Sequence, residues 1–227
     1  MKILFNLLVL IISFASYGQD SCHFNKMNFR KIKSKKTILY SVHNFEDSII
    51  NYLEITNTTV KSDSLYSVGK VMTPTEVEYI KKYDSINNIY IIDDIRKCSK
   101  IKIGEYEAYI VRFVYNTISS TILLYIVHDE KILYTKMIAD YSFGESGFGN
   151  LASFVKVDKK NKHIYIQSYY EEKYVVYSES DNSELPFCET SYLYIDFISI
   201  NMDIFNVSVL KYESRRCRSL AAQKQIK

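Results

Sequence analysis

Beyond Ile101 the chain alternates short apolar runs with short polar clusters. Glu107 to Tyr115, Thr121 to Val127 and Ile132 to Ile138 are three such runs, separated by Asn116 to Ser120 and by His128-Asp129-Glu130-Lys131. Runs of this length, rich in Ile, Val, Tyr and Phe and divided by turn-forming residues, predict an antiparallel meander. In the middle run Ile122, Leu124 and Ile126 are apolar, and so are Leu123, Tyr125 and Val127 between them. A strand with no polar side is covered on both faces, so this one belongs at the centre of a sheet.

Asp158-Lys159-Lys160-Asn161-Lys162 joins a further pair of runs, Ser153 to Val157 and His163 to Tyr170, as a hairpin. Later, Leu193, Ile195, Phe197 and Phe205, Val207, Val209 alternate with Tyr192, Tyr194, Asp196 and with Asn206, Ser208. That is the pattern of half-buried strands whose polar side faces water.

Helical signals are confined to the first half. Thr73-Pro74-Thr75-Glu76 forms a capping box with proline at the first helical position, and Val77, Ile80 and Tyr83 follow at intervals of three. This predicts a helix from about Pro74 to Tyr83. A second helix is expected to start at Asn44, with Asp47 completing the cap and Phe45, Ile49 and Leu53 sharing a face. No repeat of fixed period and no low-complexity linker interrupts the chain. The expected fold class is therefore α+β: a predominantly antiparallel β-sheet of meanders and hairpins with one or two short helices in the N-terminal half.

Composition agrees with strands. Of 227 residues only six are glycine and two proline, while twenty-one are tyrosine, so most turns must be made by Asn, Asp, Ser and Lys. The N-terminus changes the picture more. Lys2, an apolar run from Ile3 broken only by Asn6, and the small residues Ala15, Ser16 and Gly18 follow the order of a cleavable signal peptide, expected over 1–18. Its apolar stretch falls short of the roughly twenty residues that span a bilayer. The 209 residues that follow are enough for a single core that buries about 70% of the unfolded chain's surface. The mature protein is expected in a periplasm or outside the cell, with no transmembrane segment.

Charge is unevenly placed. Lys26, Arg30, Lys31, Lys33, Lys35 and Lys36 carry +6 with no acid among them, and residues 211–227 carry +5. With Lys2 these regions hold +12 of a total of +3, leaving −9 for the remainder. An acidic domain over 37–213 is thus expected between a basic N-terminal segment, 19–36, and a basic C-terminal tail, 214–227. Basic ends suit an anionic surface such as lipid headgroups or acidic polysaccharide, or are simply solvated. No recognition motif accompanies them, so nucleic acid is not an expected partner.

Four cysteines, Cys22, Cys98, Cys188 and Cys217, make two disulfides the expectation in an oxidising compartment, with three pairings open. One of them joins Cys22 to Cys217 across the termini and Cys98 to Cys188 in the middle. The spacings do not suit structural zinc, and no metal or other cofactor is expected.

Candidate chemistry is sparse. Gly144-Glu145-Ser146-Gly147, with His43, Asp93 or Asp94, and Ser146 in order, resembles the serine motif of chymotrypsin-like proteases. The likeness extends over four residues and an order, the surroundings of His43 do not match, and six glycines are few for that fold. A loop needing backbone freedom is the plainer reading. His128-Asp129-Glu130 and Asp93-Asp94 offer a base beside carboxylates and paired acids, at strand ends where turns call for polar residues anyway.

Tyrosine is the most informative excess. His163, Tyr165, Gln167 and Tyr169 share one strand face, and Tyr192, Tyr194 and Asp196 share another. Were these strands neighbours, Tyr165, Tyr169, Tyr192 and Tyr194 would form an aromatic, hydrogen-bonding surface for a glycan or an envelope protein. Cross-strand support of the sheet is the other use for such residues. The expectation is an exported, non-enzymatic binding or structural protein. An exported inhibitor or immunity-type protein that sets its acidic core against a basic partner is the alternative, and a serine hydrolase comes last.

Overall fold

The polar clusters between apolar runs become hairpin turns, and the runs become strands. The computed structural model describes residues 23–32, 37–42, 68–81, 92–115, 119–144, 147–177, 184–200 and 204–218. Its strands are β1 (Thr37–Tyr40), β2 (Lys70–Val71), β3 (Ile92–Ile103), β4 (Tyr106–Tyr115), β5 (Ser119–His128) and β6 (Lys131–Gly144). They continue with β7 (Gly147–Asp158), β8 (His163–Tyr177), β9 (Glu184–Ser199) and β10 (Phe205–Arg218). From β2 to β10 they pair in sequence order, every pair antiparallel, as the meander pattern predicts.

With little glycine available, the turns draw on other means. Asp129 and Glu130 take left-handed φ values of 48° and 60° to close β5 onto β6 in a two-residue loop, the geometry that suits the twist of a hairpin. Between β7 and β8 the Asp158 carboxylate accepts from the backbone amides of Lys160 and Asn161 at 3.0 and 3.1 Å, an Asx turn of the kind such a polar cluster favours.

Helix contributes little among the described residues: α1 (Pro74–Lys81), a 3-10 turn at Phe24–Lys26 and the helical residue Val68, so of the α+β expectation the antiparallel sheet is what the structure shows. The capping box of α1 forms as the residues dictate. The Thr73 amide donates to Glu76 Oε2 at 2.9 Å, and the Glu76 amide donates back to Thr73 Oγ1 at 3.4 Å. Glu76 also pairs with the buried Lys97 of β3, which ties the helix start to the sheet. The helix expected from Asn44 lies outside the described residues.

β5 is apolar on both sides and is buried on both sides. Ile122, Leu124 and Ile126 enter one core with Ile110, Ile138, Val155, Ile164, Ile166 and Ile198. Leu123, Tyr125 and Val127 enter a second with Tyr109, Val111, Phe113 and Met72, packed against Val77 of α1. The second core is closed by Phe24, Met27 and Phe29, from the segment expected as a basic lead-in. Phe24 stacks on Tyr109 with centroids 4.9 Å apart, and Phe29 meets the same ring edge-on at 5.0 Å. This segment is also tied to the edge of β3, since the Ile32 amide donates to Lys100 O at 3.0 Å and the Lys100 amide to Arg30 O at 2.8 Å. At the other end β10 runs to Arg218, beyond residue 213, where the domain was expected to stop.

β6 and β7 pair only from Asp140–Leu151 to Gly144–Gly147 and then part. β6 continues beside β5, and β1 fills the place beside β7, from Thr37–Lys156 to Tyr40–Ser153. Two layers result, β3–β6 facing β7–β10 with β1. Contacts between them include Tyr40 Oη with Ser99 Oγ of β3 at 2.8 Å and Lys136 of β6 with Asp196 of β9 at 3.0 Å. The pairing puts Asp140 and Leu151 on one face of the hairpin. In β5 and β6 that is the side of Thr121 and Leu123, away from the shared core, whereas in β7 it is the side of Val155 and Val157, which lines it. Both strands twist with the same hand through the hairpin, so opposite sheet faces come to look at each other without a break in pairing.

The disulfide expectation needs correction at Cys98. This residue is a thiol in β3, packed in the shared core, where burial pushes its pKa up to about 12 despite the lowering influence of Arg112. The Cys98–Cys188 pairing is therefore not made, and Cys22 lies outside the described residues. The register instead sets Cys188 of β9 directly opposite Cys217 of β10.

Because β5 is enclosed by both cores, Leu124→Ala should destabilise the protein by about 3 kcal/mol in urea unfolding, through lost burial and the cavity left behind. Met137→Ala, at an exposed position on the neighbouring strand, should change the midpoint by no more than about a tenth of that.

Candidate functional site

Residues directly opposite each other across two strands share a face, so the register of β8 with β9 decides which tyrosines meet. Tyr165 lies opposite Phe197 and Tyr169 opposite Leu193, while Tyr170 lies opposite Tyr192 and Ser168 opposite Tyr194. The four tyrosines expected to form one surface are thus split. Tyr165 and Tyr169 occupy one face, and Tyr192 and Tyr194 the other, because a one-residue change of register exchanges the faces of a whole strand.

The two faces also exchange their expected environments. Asp196, on the side expected to be wet, is only 1% exposed and points into the space between the layers. Phe205 and Val209, on the apolar side, are 52% and 54% exposed. Tyr169 is buried, at 9%, and its hydroxyl donates to Ser191 Oγ at 3.2 Å. Tyr165 is 37% exposed and sits edge-on to Phe197 at 5.1 Å, beside His163.

Tyr192 and Tyr194 acquire a third partner, Tyr170. The rings of Tyr170 and Tyr192 stack with centroids 6.0 Å apart and planes 27° from parallel, and Tyr192 and Tyr194 repeat the arrangement at 6.0 Å and 20°. The result is a half-buried row of three aligned rings across β8 and β9. Gly149 of β7 makes room at one end, since a Cβ there would lie 3.0 Å from the Tyr170 hydroxyl and 3.2 Å from Ser142 Oγ. The adjacent pair Tyr169-Tyr170 is visible in sequence, but only the register says which of the two joins the row.

Carboxylates surround it. Burial raises the pKa of Tyr170, and the charges of Glu172 and Asp140 raise it further. Tyr194 is raised by burial and then by Tyr192, Glu213 and Asp196. Asp196 has its own pKa raised by burial, against the lowering pull of Lys136. Its Oδ1 accepts from Lys136 Nζ at 3.0 Å and from the Ser208 hydroxyl, and its Oδ2 has no hydrogen-bond partner among the described residues. Next to it Asn206 donates to the Tyr134 hydroxyl at 2.6 Å, and burial carries that phenol up to about 12. Asp140 accepts from Thr121 Oγ1 at 2.5 Å, yet burial raises it to about 6.

The remaining candidates lie in strands and turns where they are described. Asp94 pairs with Arg96 at 2.7 Å within β3, and Asp93 beside it is exposed. His128 stands at the β5–β6 turn with Asp129 at 3.4 Å, Glu105 at 3.8 Å and the Tyr106 ring at 4.7 Å. Gly144 and Gly147 face each other at the end of β6 and β7, and Gly147 takes a φ of 149°, so the glycine cluster serves a hairpin. Ser146 and His43 lie outside the described residues. Among the described residues no group of three or more His, Cys, Asp or Glu could hold a metal ion, and no helix is long and apolar enough to cross a membrane. No known protein family, curated protein or solved structure matches the chain.

Asp140 gives a pH test. Its folded pKa of about 6 lies above the ordinary 3.8. Between those values the native state holds a proton that the unfolded state releases, so this group's contribution to stability falls as pH rises through the window. Asp140→Asn should therefore unfold at a higher temperature than the parent above pH 6, by on the order of 2 kcal/mol, with the difference vanishing near pH 4. Paired thermal melts at pH 4 and pH 7.5 measure it.

Proposed function

We propose that this is an exported, non-enzymatic binding protein whose ligand surface is the row Tyr170, Tyr192 and Tyr194. The observation that carries the reading is the row itself: three aligned, half-buried rings with their hydroxyls on a rigid sheet. Tyrosine supplies broad apolar contact together with a polar handle at small entropic cost, which is why it concentrates at binding surfaces. Export rests on the order of charge, apolar run and small residues at the N-terminus, and an envelope protein or a glycan is the partner class that goes with it.

An oxidising compartment would also complete a disulfide between Cys188 and Cys217, directly opposed on β9 and β10. Closing a loop of that length stabilises by roughly 3–4 kcal/mol in the chain-entropy model. It would fasten β10, the last strand of the sheet, to the strand that carries Tyr192 and Tyr194.

The combined substitution Tyr170→Ser, Tyr192→Ser, Tyr194→Ser should abolish capture of a partner from the envelope and secreted fractions of the source organism, while Tyr165→Ser should leave capture unchanged. The reverse result would reassign the surface to the opposite face of β8 and β9. Peptide mapping without reduction should recover Cys188 linked to Cys217 and Cys98 as a thiol that alkylates only after unfolding.

A further inference from the structure

We propose that the tyrosine row takes an organic cation, an ammonium or guanidinium group seated against the ring faces of Tyr170, Tyr192 and Tyr194; this rests on the row being the ligand surface. An aromatic face is the negative part of the ring's quadrupole and attracts a cation placed over it. The surroundings add to that attraction. Asp140 and Glu172 act on Tyr170, and Glu213 and Asp196 act on Tyr194.

Three basic groups lie near the row among the described residues. Lys136 is held by Asp196 at 3.0 Å, Arg215 stands at the exposed end, two positions beyond Glu213, and Lys211 occupies the bulge of β10 between Leu210, opposite Tyr194, and Tyr212. Four carboxylates against these three cations leave the row's surroundings on the acidic side. Among the described residues Asp140, Glu172 and Glu213 have no ion-pair partner.

A further sign is the second oxygen of Asp196. It is buried on the same face, two residues from Tyr194, and has no donor among the described residues. Buried carboxylate oxygens are ordinarily satisfied, so a donor brought close to this one, directly or through a water, would add to the attraction for a ligand that carries N–H groups. Anions and neutral apolar ligands would not supply the donor, whereas an ammonium or guanidinium carries several. The same chemistry comes either as a small free amine or as a Lys or Arg side chain of a polypeptide.

Calorimetric titration of the purified protein at constant ionic strength tests this, using tetramethylammonium, arginine ethyl ester and an octa-arginine peptide, with acetate as the anionic control. Saturable binding of at least one cation and none of acetate is expected. The affinity should fall about tenfold in Tyr192→Ala, corresponding to loss of roughly 1.4 kcal/mol of cation–π and contact energy, and severalfold in Glu213→Gln, whose side chain is exposed. Tyr192→Phe, which keeps the ring and the fold, should retain it. A peptide at least tenfold tighter than the ester identifies a polypeptide source, and equal affinities identify a small amine.

Absence of saturable binding by all three cations, or binding that is unchanged in Tyr192→Ala, overturns the proposal. The two readings fail separately. If envelope capture depends on the three tyrosines while no cation binds, the row is the surface and its ligand is not cationic. If neither depends on them, the row is not the surface.

Discussion

A single strand with no polar side governs the architecture. β5 requires apolar cover on both faces, and the chain provides it from two distant sources, the β7–β9 layer on one side and residues 24–29 with Met72 and α1 on the other. The second cover is not self-sufficient. The eight-residue helix is too short to hold itself in water, and the lead-in segment is a single 3-10 turn among extended backbone. Both are held by what they bury against Tyr109, Val111 and Phe113. Even the charges conform, since Lys97 of β3 meets its counterion in the first turn of the helix that covers it.

The same reasoning explains which parts of the fold were legible in sequence. The helix start was, because Thr73, Pro74 and Glu76 specify a cap through contacts three residues apart. β5 was, because burial on both faces leaves no polar position to misplace. The hairpin turns at His128–Lys131 and Asp158–Lys162 were, because their chemistry is local. The strands β9 and β10 were recognisable as strands, but not the direction in which their polar sides look. Alternation defines two faces without saying which is inside, and here Asp196, Asn206 and Ser208 turn inward to Lys136 and Tyr134, while Phe205, Val207 and Val209 turn outward.

The tyrosine row fell on the illegible side for a related reason. The sequence alone marks Tyr192 and Tyr194 as neighbours on one strand, but their companion depends on the pairing of β8 with β9, which is non-local. A one-residue difference separates Tyr169, buried and bonded to Ser191, from Tyr170, whose ring completes the row and whose hydroxyl rests on Gly149. Cysteine pairing failed similarly. Counting thiols cannot reveal that Cys98 is in the core on β3 while Cys188 and Cys217 face each other at the opposite end of the sheet.

The position of β1 bears on how the molecule is assembled. Among the described strands it is the first to leave the ribosome, yet its partner is β7, more than a hundred residues downstream. Until that partner exists, Ile38 and Tyr40 have no place to be buried. Closure of so long a loop is entropically costly, and non-local β pairing of this kind folds slowly. A chain whose β1 waits for β7 keeps that stretch of its core open until the seventh of its ten described strands has been made.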